Sequence, residues 1–448
     1  MPVTHQNPED EWMASALTNH LTDTLSRIEG LSVIARGSTV RLTDISDPVQ
    51  LGQALGVDAL VKSRLERKGE YVGMRAQLVA TADGQVLWSF NVEPVAEMLN
   101  PDAINQITAS VTRRMWAGIQ ADTAPSTKNA EAYRLYLRGR YFWNQRTRTA
   151  LESAVEAFDA ALALDPQYVD ALVGKAESWL LLPLYGALPP NQAIPRAKEA
   201  ALEALRLDGQ SAHALAVLGV IAMQYDWDWD RAEANLRQAV TLNPNNATAE
   251  QWLGELYCYR HRFPECRQRI EIARGLDPIS PVLQMLRGSP ALFSGDFHIA
   301  IQEYEAVLNE ALGLPFARYA LGLSRAGLGD WQGAISDYKA ALPHFGLEIV
   351  GGPLIYAMAR SGQTEEAMAL LNELTELSES RYVPPTKLAI AWLGTGDRDR
   401  AMQALDRAIE LHDDRLVYLA VDVHFRELHD DPRFRERAAR VHLVDLLD

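Results

Sequence analysis

Cysteine is nearly absent from this chain. Cys258 and Cys266 are the only two in 448 residues, which excludes the disulfide framework that holds small secreted domains together. Long apolar runs are missing as well. No stretch reaches the roughly 18 residues that a membrane-crossing helix needs, and residues 1–12 are too acidic and polar to be a secretory signal. Taken as complete, the chain is expected in the cytoplasm. There is no basic excess either: 43 Lys and Arg face 59 Asp and Glu, for a net charge of −16. Direct nucleic-acid binding by this chain is therefore not expected, because phosphate contact needs a basic footprint. The cluster Arg138, Arg140, Arg146 and Arg148 is the best candidate for a local basic groove. No Ser-His-Asp set or carboxylate pair can be placed. Gly52 and Gly56 lack the Lys-Ser/Thr of a phosphate loop and read as a helix end. His424, His429 and His442 are too scattered for a zinc set. Neither enzyme, cofactor nor metal is expected.

What is present is a spacing. Gly254, Gly288 and Gly322 recur every 34 residues, and Cys266, Ala300 and Ala334 keep the same step. Small side chains continue in both directions, first at Ala154, Ala197, Ala232, Cys266, Ala300, Ala334, Ala367 and Ala401. A second set follows seven residues later, at Ala161, Ala204, Ala239, Ala273, Val307, Ala341, Leu374 and Ala408. Larger apolar residues lie between them, at Phe158, Leu236, Ile270, Tyr304, Tyr338, Leu371 and Leu405. Steps of four and three keep all of these on one helical stripe, where small residues let helices approach and the large one fills the gap. About eight helix-turn-helix units follow from residues 129–412. The step from Ala154 to Ala197 is stretched to 43, and the Tyr225–Trp229 loop lengthens the third unit. A 34-residue step of this kind is similar to a tetratricopeptide array, which implies an all-α superhelical solenoid used as a binding surface.

The first 120 residues do not repeat. Trp12, Ala16, Leu17, His20, Leu21, Leu25 and Ile28 share a helical face that Gly30 closes, and Leu31–Ala35 reads as a short strand. A helix from Asp47-Pro48 to Gly56 precedes β-rich residues 57–67, a turn at Lys68-Gly69-Glu70, an alternating strand through Val72, Met74, Ala76 and Leu78, and a strand from Val86 to Phe90. Residues 101–120 read as helix, which gives the order α-β-α-β-β-β-α in a small α/β (α+β) domain. Residues 121–128 form a linker, and 413–448 read as a terminal helical segment that seals the last unit.

The segments Leu51-Gly52, Leu55–Asp58, Ala76–Val79 and Asp83-Gly84 with Leu87–Ser89 resemble the TolB-like (FlgO-like) amino-terminal module. Residues 135–147, 225–229, 381–383 and 431–434 resemble the tail of a bacterial family. There this module and a tetratricopeptide array follow a winged-helix regulator, adenylate cyclase or Ser/Thr kinase domain. The resemblance implies bacterial signalling, with the effector absent or on another chain. It also implies a first strand before Trp12; here the chain starts almost at the helix, so the start is truncated or one sheet edge is open. An open edge would allow a homo-oligomer.

Aligning Gly139 with the small first-helix position puts Tyr133, Tyr136, Arg140, Trp143 and Asn144 on the concave groove. Rings and a planar guanidinium suit capture of a protein or peptide partner; the alternative is that Tyr136 and Trp143 pack against the linker or the first domain. Later units place Gln251, Glu255, Met285, Ser289, Tyr319 and Leu323 on that face. Asp226, Asp228 and Asp230 alternate, but an EF-hand glycine and glutamate are lacking; Asp228 or Asp230 reads as a helix cap, with the tryptophans packed on the previous unit. Cys258 and Cys266 read as small interior residues rather than a redox pair.

Overall fold

The computed structural model describes residues 1–96, apart from 6, 8–9, 29–30, 36–37, 39–41, 43–44, 46 and 69–70, and then 127–185, 188–309 and 315–447. The helix read at 101–120, most of the linker, and the closing Gly30 lie outside the described residues.

Helix α1 (Glu11–Ser26) presents Ala16, Leu17 and Leu21 to a core shared with a three-stranded antiparallel sheet, β1 (Ala59–Lys68), β2 (Tyr71–Ala80) and β3 (Val86–Ala96), in the order β1-β2-β3. Helix α2 (Pro48–Leu55) starts at Asp47, whose carboxylate accepts from Val49 and Gln50, and ends at Gly56, which adopts φ +65°. Only a residue without Cβ takes that conformation freely. Asp10 is buried and paired with Arg67, tying the start of α1 to β1. Beside β1, Thr4 runs parallel: its N–H donates to Ser63 O at 2.9 Å and its carbonyl accepts from Leu65 N at 2.8 Å.

The strand expected at Leu31–Ala35 does not form. Leu31 O accepts from Asn245 Nδ2 and Ala35 N donates to Leu276 O, so the backbone groups a sheet would use are taken by turns of the repeat region.

From Ala130 onward the chain is helical: α3 (Ala130–Asn144), α4 (Arg148–Leu164), α5 (Val169–Leu181), α6 (Pro190–Leu207), α7 (Ala212–Ile221), α8 (Trp229–Leu242), α9 (Ala247–Tyr259) and α10 (Phe263–Leu276). They are followed by α11 (Pro281–Leu286), α12 (Ser289–Ser294), α13 (Phe297–Val307), α14 (Pro315–Gly327), α15 (Trp331–Phe345), α16 (Leu347–Arg360), α17 (Thr364–Ser380), α18 (Pro385–Gly394), α19 (Arg398–Leu411) and α20 (Pro432–Arg440). Every small position read from the period, from Ala154 to Ala408, is 0 % exposed. The glycines show why the period exists. A Cβ on Gly288 would come within 2.6 Å of the Tyr304 ring, and one on Gly322 within 2.5 Å of Tyr338. The aromatic of one helix thus occupies the space a side chain on its neighbour would need.

The cysteine reading needs correction. Cys258 on α9 and Cys266 on α10 are interior, as expected, but they are also bonded to each other, because the short turn between the helices brings their Cα atoms to 5.1 Å.

The segment after α19 does more than cover the last helices. Arg437 of α20 pairs with Asp406 of α19. Beyond that contact, Trp229 Nε1 donates to Val441 O at 3.0 Å, Arg260 reaches His442 O, and Tyr259 and Tyr418 join their hydroxyls at 3.0 Å. Leu416, Val417, Phe425, Leu428 and Phe434 enter the same core as α8–α10. The Tyr225–Trp229 loop also differs from its reading. Trp227 stacks on His412 at 4.7 Å and Trp229 faces Val441, so these rings pack on the returning carboxy-terminal chain.

Candidate functional site

Helix α3 begins where Asn129 accepts from the backbone of Glu131 and Ala132. Its inner face meets α1 directly. The His20 ring lies edge-on to Tyr133 at 5.5 Å and to Tyr136 at 5.9 Å, and both tyrosines are buried. Burial pushes both phenols well above their ordinary pKa and lowers that of His20. Tyr133 and Tyr136 are therefore not a free surface: the amino-terminal helix covers the place that the groove reading gave to a partner. Asn144 also departs from that reading, since its Nδ2 turns back to Arg140 O at 2.8 Å.

Arg140 and Trp143 border a hollow of about 190 Å³ between α1 and the first repeats. Arg140 Nη1 pairs with Glu177 on α5 at 2.5 Å. Burial opposes its charge, but Glu177 more than offsets this and holds its pKa up. The Trp143 ring is clamped between two guanidiniums, Arg140 at 4.4 Å and Arg146 at 3.6 Å from its centroid. The Trp143 Nε1 and Arg140 Nε atoms are buried and have no partner among the described residues. The repeat register assigns these two residues to the inner face, but it carries no sign that α1 forms the opposite wall, with Arg27 joined to Asp170.

A second hollow of about 230 Å³ opens in the middle of the concave face. Five of the inner positions read from the repeat line it: Glu255, Met285, Ser289, Tyr319 and Leu323. The opposite wall is the returning chain, with Tyr418, Val421, Asp422 and Val423. No periodic signal could have placed these, although the apolar spacing of Leu416, Val421 and Phe425 marked the segment as buried against something. Burial pushes the Glu255 carboxyl up to about 7, and Gln251 partly counters the rise. Asp422 goes the other way. Burial alone would raise it, but His424, with Nδ1 at 2.7 Å, together with Lys387 brings it down to about 2. Lys387 Nζ donates to Tyr319 OH at 2.9 Å.

Among the described residues, no group of three or more His, Cys, Asp or Glu could hold a metal. In the acidic loop Asp228 caps α8 by accepting from Arg231 N, and Asp226 accepts from Lys198. No helix among the described residues is long and apolar enough to cross a membrane.

With this geometry in view, comparison with known proteins adds one firm point. A tetratricopeptide-repeat family model matches residues 286–346. Those residues form a tetratricopeptide repeat. The stretch contains Gly288, Tyr304, Gly322 and Tyr338, the close contacts described above. Proteins built from such repeats generally mediate protein–protein interactions and are non-enzymatic scaffolds. Among curated relatives, the transcriptional regulator HilA of Salmonella typhimurium is 23% identical over 251 residues, 56% of this chain. The chain spans only 45% of HilA's own length. Among solved structures, a Rap protein complexed with competence and sporulation factor shares 11% identity at a TM-score of 0.50, over 70% of this chain and 95% of that one. A thermophilic tetratricopeptide protein of Thermus thermophilus shares 18% identity at a TM-score of 0.36, over 44% of this chain and 98% of that one. For the Rap protein, at 11% identity, the likeness is one of fold alone.

Proposed function

We propose that this chain is a non-enzymatic interaction scaffold in bacterial signalling, with about eight tetratricopeptide units between a TolB-like module and a terminal segment. The partner, a protein or peptide, is taken at the hollow beside α1. The observation that carries this reading is the lining of that hollow, where Arg140 and the Trp143 ring lie together and the Trp143 N–H is left without an acceptor among the described residues. A buried unpaired donor costs free energy that an incoming carbonyl or carboxylate recovers. Arg140 and Trp143 are the binding residues in this scheme. Tyr133, Tyr136 and Asn144 hold them in place. Self-association would use the outer edge of β3, where Val86 and Leu87 are exposed, since Thr4 already lies along β1. A cytoplasmic location belongs to the same proposal, and the Cys258–Cys266 disulfide bears against it, because thiols there are kept reduced.

The test is capture of partners from the native host with the full chain and with Trp143→Phe. That substitution keeps the ring and removes the donor. A partner held by the parent chain should be retained at least about tenfold less by the variant, with an unchanged melting curve. Equal retention would remove Trp143 from the site. The HilA match supports a second reading, in which the chain is the regulatory part of a transcriptional regulator whose output lies elsewhere. An in-frame winged-helix or cyclase domain upstream of Met1 would decide for it.

A further inference from the structure

The middle hollow has a chemistry that capture at Trp143 does not use. Its walls are rich in rings, with Tyr259 and Phe293 on the array side and Tyr418 on the returning chain. Ring faces carry partial negative charge and attract cations. Among them lies Glu255, half-buried and opening onto the hollow. Its carboxylate acts electrostatically on the hydroxyls of both Tyr259 and Tyr418, so it lies at the aromatic end.

The other charged groups around the hollow have contacts of their own. Arg415 pairs with Asp414 at 2.8 Å and lies in the field of Asp413. Lys387 is bonded to Tyr319 and acts on Asp422, which also holds His424. Among the described residues no ion pair engages Glu255; Gln251 is the hydrogen-bonding neighbour that bears on its charge. One carboxylate inside an aromatic box therefore lacks a paired cation among the described residues, while Arg415 has Asp414.

Size narrows the occupant. A volume of about 230 Å³ compares with the ~10–15 Å³ that one water needs, leaving room for a molecule of roughly a dozen heavy atoms. Tyr418, Val421, Asp422 and Val423 form one wall, so the space is bounded on that side by the returning chain. We propose that this hollow binds a small organic cation, an amine carrying an aromatic or aliphatic body. Its ammonium pairs with Glu255 against Tyr259 and Tyr418, and its apolar part lies on Met285, Phe293 and Leu323. Such a ligand touches the array and the returning chain together, so it also fastens the two.

The test uses the full-length chain and three probes of one shape and different charge: 2-phenylethylamine, 2-phenylethanol and 3-phenylpropionate. By calorimetry at pH 8 the amine should bind about tenfold tighter than the alcohol, and the carboxylate most weakly. In Glu255→Gln the amine should lose its advantage while the alcohol still binds, which also shows that the variant is folded. On the parent chain amine affinity should fall about tenfold from pH 8 to pH 6 as Glu255 takes up a proton. The groups facing it are Tyr259, Tyr418, Arg415, Lys387 and Asp422. Burial keeps the two phenols protonated over that range, Arg415 stays charged beside Asp414, and Asp422 stays ionised beside His424. Trp143→Phe should leave amine binding unchanged, which separates this site from partner capture. Equal binding of amine and alcohol, preference for the carboxylate, or no binding of any probe would overturn the assignment.

Discussion

The two ends of the chain both fold onto the concave face of the helical array, and they hold it by different means. The amino-terminal module shares an apolar core with α3 and α4, through Leu17, Leu21, Tyr133 and Phe158, and meets the turns after α8 and α10 by polar contacts. Asn243 Nδ2 donates to Ser26 Oγ, Asn245 Nδ2 donates to Ser26 O and Leu31 O, and Ser38 bonds Asp277. The carboxy-terminal contact is centred on a core: Leu416, Val417, Leu419, Leu428 and Phe434 are all 0 % exposed and join α8–α10, with hydrogen bonds such as Trp229 to Val441 O around them. Hydrogen bonds exchanged with water contribute little net free energy each, while buried rings and leucines contribute more. The carboxy-terminal segment thus lies within the core of α8–α10, while at the turns after α8 and α10 the amino-terminal module is a cover held by hydrogen bonds, its apolar contact being with α3 and α4. The hollows differ as well: charged groups and rings mix beside α1, and rings dominate beside the returning chain.

The contrast between the two ends is most strongly broken at Phe434, which lies fully buried with its ring 5.7 Å from Phe425. Phe434→Ala should cost about 3–5 kcal/mol, and a denaturant midpoint shared by the whole array should fall. If only a local tail melts and the main midpoint stays, the segment is not integral. A smaller effect of opposite sign is expected at Glu255. Its folded pKa is raised from 4.5 to about 7, so the folded state binds its proton more tightly than the unfolded one. The stability this confers is complete below about pH 4.5 and lost as pH rises through 7. Glu255→Gln should therefore match the parent near pH 4.5 and exceed it at pH 8 by on the order of 2 kcal/mol, discounted for the opening to the hollow. Urea titrations at the two pH values measure this, and an equal gap at both would refute the assigned cause. Smallest is Asn245→Ala, which leaves Ser26 O and Leu31 O without that donor. About 1–2 kcal/mol is expected, read as faster amide exchange in α1 with little change in α8–α10. Uniform loss across the array would mean that the cover is not a separate unit.

Local chemistry is legible in the residues themselves. The small residues from Ala154 to Ala408 are spaced by the contacts they must allow, and each is buried. Gly56 closes α2, and Asp228 rather than a metal site starts α8, because turns and caps are decided within a few residues. Readings that depend on distant partners are less secure. Tyr133 and Tyr136 have the composition of a binding surface, and α1 covers them. Leu31–Ala35 has the pattern of a strand, and Asn245 and Leu276 take its backbone groups. Cys258 and Cys266 have the burial expected of them, but their bond depends on how closely α9 and α10 approach.

The sequence by itself determined that this chain is a helical repeat with a small sheet at its start, because period and side-chain volume are properties of neighbouring residues. Only the tertiary structure decided which parts of the inner face stay open. The hollows exist where α1 and residues 413–447 fold back across the repeats. Contacts such as Trp229 to Val441 join residues 212 apart, and no local pattern encodes the meeting of segments so far separated along the chain.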